Sequence, residues 1–172
     1  MLRLAACALL LTACAGLRPP DAMYESTPME AVRAMLELAA VAKDDLVADL
    51  GCGDGRIVIE AVRRYGARGL CIDNEPERIR EARENALAAG VAERIAFVNQ
   101  NFFDADLRGV TVATLFLSPT LNRALRPKLE RELAPGGRVV SYWFGTEGWQ
   151  PERSATLGQG LRQRPLYLWR IH

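Results

Sequence analysis

The chain has 172 residues, room for one domain with a full-size core. It is 49% hydrophobic and 25% charged, an ordinary globular balance, and its net charge is +1. The basic residues after position 120 are interspersed with Glu130, Glu132, Glu147 and Glu152, so no groove for nucleic acid is expected. A single histidine, His172, and four cysteines without CxxC spacing argue against a Ser-His-Asp triad and against any metal site.

The N-terminus reads as an export signal. Arg3 precedes the apolar run LAACALLLTA, too short to span a bilayer as a helix and matched to the hydrophobic region of a secretory signal. The run ends in Leu11-Thr12-Ala13-Cys14, which resembles the lipobox of bacterial lipoproteins. Residues 1–13 are then expected to be a signal peptide and 14–23 a tether lipidated at Cys14, with the body at 24–172. That arrangement anchors the protein to the membrane in the cell envelope, since several acyl chains together hold stably. The alternative is translation from Met23 and a cytoplasmic protein.

From Thr27 the elements alternate. Residues 27–42 have apolar positions at helical spacing, with Thr27 as the expected N-cap and Pro28 in the first turn. A short apolar strand is expected at 46–51, a helix at 56–66 closed by Gly66, and a strand at 67–73. A helix follows at 76–90 from Pro76 to Gly90, then strands at 94–100 and 111–118. A helix at 121–134 contains Pro127, which should bend it or lie near its first turn. A fifth strand spans 138–144, and two weaker strands near 154–161 and 165–171 form a hairpin. The pattern predicts an α/β fold, a doubly wound and mostly parallel sheet with a C-terminal antiparallel hairpin.

In such folds ligands bind at the carboxyl ends of the strands, beside the first strand. DLGCGDGR at 49–56 stands there. Gly51, Gly53 and Gly55 let the backbone approach a ligand closely, and Asp73 at the end of the next strand can accept hydrogen bonds from ribose hydroxyls. The spacing is GxGxG rather than the GxGxxG of dinucleotide sites, and Arg56 occupies the position that should be small. Asp49 would repel a pyrophosphate and attract a cation. Both details favour S-adenosylmethionine over NAD.

The successive stretches DLVADLGCGDGRIVIEAV, CIDNEPERI, FVNQNFFDAD and LFLSPTLNRALRPKLERELAPGGRVVSYWF resemble the motifs of class I S-adenosylmethionine-dependent methyltransferases, with a Rossmann-like sheet. The details GDGRIVI, RPKLERELAPGGRVVS and YLWRI are similar to small bacterial methyltransferase-domain proteins, which resemble the lysine methyltransferases of the ATP synthase c-subunit. The resemblance implies that Asp49, Gly51 and Gly53 line the methionine end of the cofactor and that Asp73, with Asn74 beside it, binds the ribose. It implies Asn101 and Phe102 at the adenine, and Tyr24 and Thr27 in a segment covering the cofactor. Many members have Asp where Asn101 stands; the amide keeps an acceptor for the adenine amino group. Cys52 and Cys71 read as small buried apolar residues, with a disulfide after export as the open alternative.

The acceptor side is less explicit. Ser118-Pro119-Thr120 lacks the Asn/Asp and the aromatic residue of the [N/D]PP[Y/F] loops that serve amide and exocyclic amino nitrogens. A lysine amine, nucleophilic once deprotonated, remains compatible, and no general base stands out. Ser118, Pro119, Trp143 and Trp149 are the expected substrate pocket, with Trp143, Phe144 and Trp149 walling an apolar slot for a lysine stem. The expectation is a methyltransferase acting on a protein lysine. Its alternatives are a lipid-anchored binding module with a non-catalytic pocket and an NAD-dependent oxidoreductase.

Overall fold

Val47, Ala48 and Leu50 of the first strand are at most 1% exposed. A strand buried on both faces belongs in the middle of a sheet covered by helices on both sides. The computed structural model describes residues 25–172. Its elements are α1 (Met29–Leu38), β1 (Leu46–Leu50), α2 (Arg56–Tyr65), β2 (Arg68–Asp73), α3 (Pro76–Ala88), β3 (Ile95–Asn99), β4 (Val112–Leu115), α4 (Pro119–Glu132), β5 (Arg138–Tyr142), β6 (Arg153–Leu157) and β7 (Arg164–Arg170). The expected signal peptide, Cys14, the tether and Tyr24 lie outside the described residues.

The strand order is β3-β2-β1-β4-β5-β7-β6. The first five strands are parallel. β7 runs antiparallel between β5 and β6, as expected for the C-terminal hairpin. Val47, Val112, Val140 and Leu166 pack on one face against Val32, Met35 and Leu36 of α1 and Ile57 of α2. On the other, Ala48, Leu50, Ala113 and Val139 meet Leu121, Leu125 and Leu129 of α4. The strand order reverses at β1, whose neighbours are β2 and β4. The carboxyl ends of these three strands form the crevice of the doubly wound fold.

Four local details differ from the sequence reading. Thr27 does not cap α1: the N-cap position is Pro28, which offers no side-chain bond, and Thr27 is buried instead. α4 begins two residues earlier than expected, because Ser118 accepts a hydrogen bond from Leu121 N at 3.3 Å and Pro119 fits the first turn. Pro127 therefore sits well inside α4 rather than near its start. β5 stops at Tyr142 because Trp143 adopts φ +69.

At the opposite end of the sheet, the buried Asp45 accepts hydrogen bonds from Ala42 N at 2.8 Å and Thr111 Oγ1 at 2.7 Å and pairs with Arg138. One carboxylate thus ties the starts of β1, β4 and β5 together.

Candidate cofactor and acceptor site

β1 ends in Asp49 and Leu50, and the chain turns through Gly51-Cys52-Gly53-Asp54-Gly55 into α2. Gly51 and Gly55 have φ of +85 and +78, a conformation that side chains disfavour. A Cβ on Gly55 would also lie 2.9 Å from Ala82 Cβ, so glycine there lets α2 and α3 pack closely. A Cβ on Gly51 would come only to within 3.5 Å of Leu117 and 4.0 Å of Phe102, so this side of the loop is open enough for a ligand to approach the backbone.

The loop is bound to β2. Gly51 N and Cys52 N both donate to Ile72 O, at 2.9 and 3.0 Å. Gly53 N donates to Asp73 Oδ2 at 3.0 Å, while Asp73 Oδ1 accepts from Glu75 N at 3.0 Å. A carboxylate offers about four acceptor sites, so Asp73 retains capacity for ribose hydroxyls. Cys52 and Cys71 are buried, as read from the sequence, and they are joined as a disulfide.

Asp49 is buried beneath this loop and accepts a hydrogen bond from Thr114 Oγ1 at 2.6 Å. Burial pushes its carboxyl up to about 7. The Thr114 bond opposes the rise, and the charges of Asp73 and Asp54 add to it. Asp54 goes the other way. Burial alone would raise it, but its hydrogen bonds and ion pair with Arg56 more than offset that and hold it below the ordinary value. Arg56 also donates to Thr27 O at 2.9 Å. That bond ties the segment before α1 over a narrow cleft lined by Ser26, Thr27, Asp49, Gly51, Arg56 and Phe116.

Asp49, Gly51, Gly53, Asp73, Thr27 and Phe102 thus come together around one crevice. Asn74 is exposed one residue beyond Asp73. Asn101 follows β3, but its Oδ1 already accepts from Phe103 N at 2.9 Å. Adenine would have to use the second lone pair.

The expected substrate pocket does not assemble as one unit. Ser118 spends its hydroxyl oxygen on the cap of α4, and Pro119 occupies the first turn, exposed. Trp143 packs with the α1 side of the sheet. Trp149 packs with the α4 side, stacked on Trp169 at 4.9 Å, and its carbonyl accepts from Trp169 Nε1 at 2.9 Å. The two tryptophans therefore do not wall one slot.

Trp143 and Phe144 do come together, as expected, and Phe116, which was not foreseen, joins them in place of Trp149. Phe116, just past β4, stacks with Phe144 at 6.3 Å and meets Tyr142 edge-on at 4.9 Å. Phe144 is stacked on Trp143 at 5.0 Å, with 9° between the planes. Strand alternation would put Trp143 and Phe144 on opposite faces. The positive φ of Trp143 and a three-residue turn closed by Phe144 N to Tyr142 O at 2.8 Å bring the two rings together. Asn122 Nδ2 and Ser141 Oγ both donate to Phe144 O, at 3.1 and 2.7 Å, and brace the turn. The signals for these residues were slight: a phenylalanine two places before Ser118, and a threonine, Thr114, inside an otherwise apolar strand.

Residues 49–153 match the family described as the ANTKMT methyltransferase domain. The chain is 44% identical to a protein-lysine N-methyltransferase of Saccharolobus islandicus, over 88% of this chain and 95% of that protein. It is 35% identical to the adenine nucleotide translocase lysine N-methyltransferase of Mus musculus, over 65% of this chain but only 48% of that one. Among solved structures, an RNA methyltransferase from Salinibacter ruber in complex with S-adenosyl-L-homocysteine superposes with a TM-score of 0.81 at 44% identity, over 86% of this chain and 94% of that one.

Fold, glycine loop and these matches define an S-adenosylmethionine-dependent methyltransferase with a Rossmann-like sheet. The alternatives of an NAD-dependent oxidoreductase and a non-catalytic binding module fall with that result. Within this class, the chain belongs to the ANTKMT methyltransferase domain family.

Proposed function

We propose that this enzyme methylates the side-chain amine of a lysine in a protein substrate. The observation that carries the reading is Phe116, which lines the Asp49–Gly51 end of the crevice, with Phe144 and Trp143 stacked next to it and Arg164 over the Trp143 ring. An apolar wall accommodates the methylenes of a lysine stem, and the desolvation it imposes favours the neutral amine. The kinship with lysine methyltransferases supports it.

In this reading Asp73 holds the ribose, with Asn74 beside it, and Asn101 and Phe102 hold the adenine. Asp49, Gly51 and Gly53 line the methionine end, where the Asp49 carboxylate faces the cofactor's positive charge. Thr27 and Tyr24 belong to the covering segment. Bound there, the cofactor would supply a sulfonium-bound methyl carbon, open to in-line attack by a neutral amine with loss of S-adenosylhomocysteine. The protein's task is alignment, worth several kcal/mol of barrier, and exclusion of water.

RNA is the competing acceptor, because a solved relative is described as an RNA methyltransferase. Arginines on the described surface favour protein instead. Arg80, Arg123, Arg126, Arg131 and Arg170 are each paired with a carboxylate of this chain.

We also propose the envelope location, with Cys14 lipidated. The disulfide between Cys52 and Cys71 supports it, since such bonds persist in oxidising compartments. The mass of the mature N-terminus from a membrane fraction tests it.

The test of function is transfer of radiolabel from S-adenosylmethionine into a membrane-protein fraction and, separately, into total RNA. Label recovered as methyllysine after acid hydrolysis supports the proposal. Label found only in nuclease-sensitive material overturns it.

A further inference from the structure

Cys52 stands between Gly51 and Gly53, in the turn from β1 into α2, and its partner Cys71 lies within β2. Cys71 is in register with Asp49 of β1 and two residues before Asp73. The bond therefore joins the loop to the strand that ends in the ribose-side acid. The other attachments of this turn to β2 are three amide hydrogen bonds, from Gly51 and Cys52 to Ile72 O and from Gly53 to Asp73 Oδ2. Each involves a residue at or next to Cys52.

We propose that the Cys52–Cys71 disulfide is a positioning element of the cofactor site, so that the enzyme's affinity for S-adenosylmethionine depends on its redox state. This rests on the reading that the glycine loop holds the cofactor. Two thiols in the same place must separate to van der Waals contact. The surroundings on the β2 side are close-packed: Cys71 is 0% exposed, among Val58, Val62, Ile79 and Ala82. The loop side contains Gly51, Gly53 and Gly55, which yield most easily. Separation of the sulfurs is thus taken up by the cofactor loop. The Gly53–Asp73 bond is the first to lengthen, and the orientation of the Asp73 carboxylate goes with it.

The chemistry is a two-electron exchange. A dithiol reductant delivers two electrons and two protons, the S–S bond breaks, two S–H groups form, and the reductant closes to its own disulfide. A disulfide donor reverses the step. An oxidising compartment keeps the site formed, and a reducing one loosens it.

The test uses the full chain carrying C7S and C14S, so that Cys52 and Cys71 are its remaining cysteines. S-adenosylhomocysteine is titrated calorimetrically into the oxidised protein, into the same protein reduced with dithiothreitol, and into a C52A/C71V variant with dithiothreitol present and absent. Folding is followed by circular dichroism. Amide hydrogen exchange is read at Gly51–Gly55 and, as a control, at Ala48 and Ala113.

The expected result is at least tenfold weaker binding by the reduced protein and by the variant, with no response of the variant to dithiothreitol. Exchange should rise at Gly51–Gly55 and stay unchanged in β1 and β4. If reduction unfolds the protein, the apolar-filled variant alone decides the matter. Affinities within twofold of the oxidised protein, in a folded reduced protein or variant, overturn the proposal. Failure of every form to bind S-adenosylhomocysteine overturns instead the reading of the loop as the cofactor site.

Discussion

Thr114 Oγ1 donates to Asp49 Oδ1 at 2.6 Å, between residues that face each other in the β1–β4 register. The bond spans the point where the strand order reverses. It gives a buried carboxylate one neutral donor in a setting that also contains Asp73 and Asp54. Burial, with the charges of Asp73 and Asp54 added, pushes the Asp49 carboxyl up to about 7, and the Thr114 bond opposes that rise only in part.

A pH dependence of stability follows. The carboxyl moves from 3.8 in the unfolded chain to about 7 in the fold. Between those values the native state binds its proton more tightly, so this group's contribution is favourable near pH 4 and is lost as pH rises to 7. The total is roughly 4 kcal/mol. Urea unfolding of the parent and of Asp49→Asn should give a stability difference that grows in favour of the variant from pH 4 to pH 8. A constant difference would contradict the assignment.

The same group should couple to the cofactor. A cation bound beside Asp49 favours its charged form. Affinity for S-adenosylmethionine is expected to rise with pH up to about 7, with release of a proton on binding below that. Calorimetry in two buffers of different ionisation enthalpy counts that proton. Asp49→Asn should bind more weakly and without the pH slope.

Asp73→Ala removes the acceptor for Gly53 N together with the sites left for ribose. Binding of S-adenosylmethionine should weaken tenfold or more, about 1.4 kcal/mol. Asp73→Asn retains one oxygen and should fall between parent and alanine variant. Equal affinity of all three would remove Asp73 from the site.

The aromatic wall predicts a division between two tryptophans. Phe116→Ala and Trp143→Ala should raise KM for the methyl acceptor several-fold while the Kd of S-adenosylmethionine stays put. Trp149→Ala should leave KM unchanged. It loses the stack on Trp169 and should lower stability by about 3 kcal/mol, toward the low end for a large core truncation. A KM effect of Trp149→Ala equal to that of Trp143→Ala would restore the single slot expected from the sequence.

The frame of the fold was legible because its signals are local. Gly66 ends α2 in a left-handed cap, Pro76 opens α3, and the ends of the five parallel strands fell within three residues of those observed. The crevice beside β1 was legible for the same reason: a glycine loop after a strand and an acid ending the next. The acceptor side was not. It depends on Trp143 leaving the β region, which a tryptophan rarely does, and on bonds to Phe144 O from Asn122 and Ser141, 22 and 3 residues away. Thr27 looked like a cap because Ser, Thr and Asp are good caps. It is buried instead, with its carbonyl held by Arg56. The state of Cys52 and Cys71 depended on β1–β2 register, which no spacing of cysteines encodes.

Arg56 grips Asp54 in the cofactor loop and the carbonyl of Thr27 ahead of α1. Opening the cleft is therefore expected to loosen the loop as well. Departure of a ligand from this cleft is expected to need the first described residues of the chain to lift away, as a door hinged at α1. Whatever is attached ahead of residue 25, whether an anchor, a fusion partner or a purification tag, becomes a weight on the door. Preparations that differ only in that attachment are expected to share the chemical step and differ in residence time of the product.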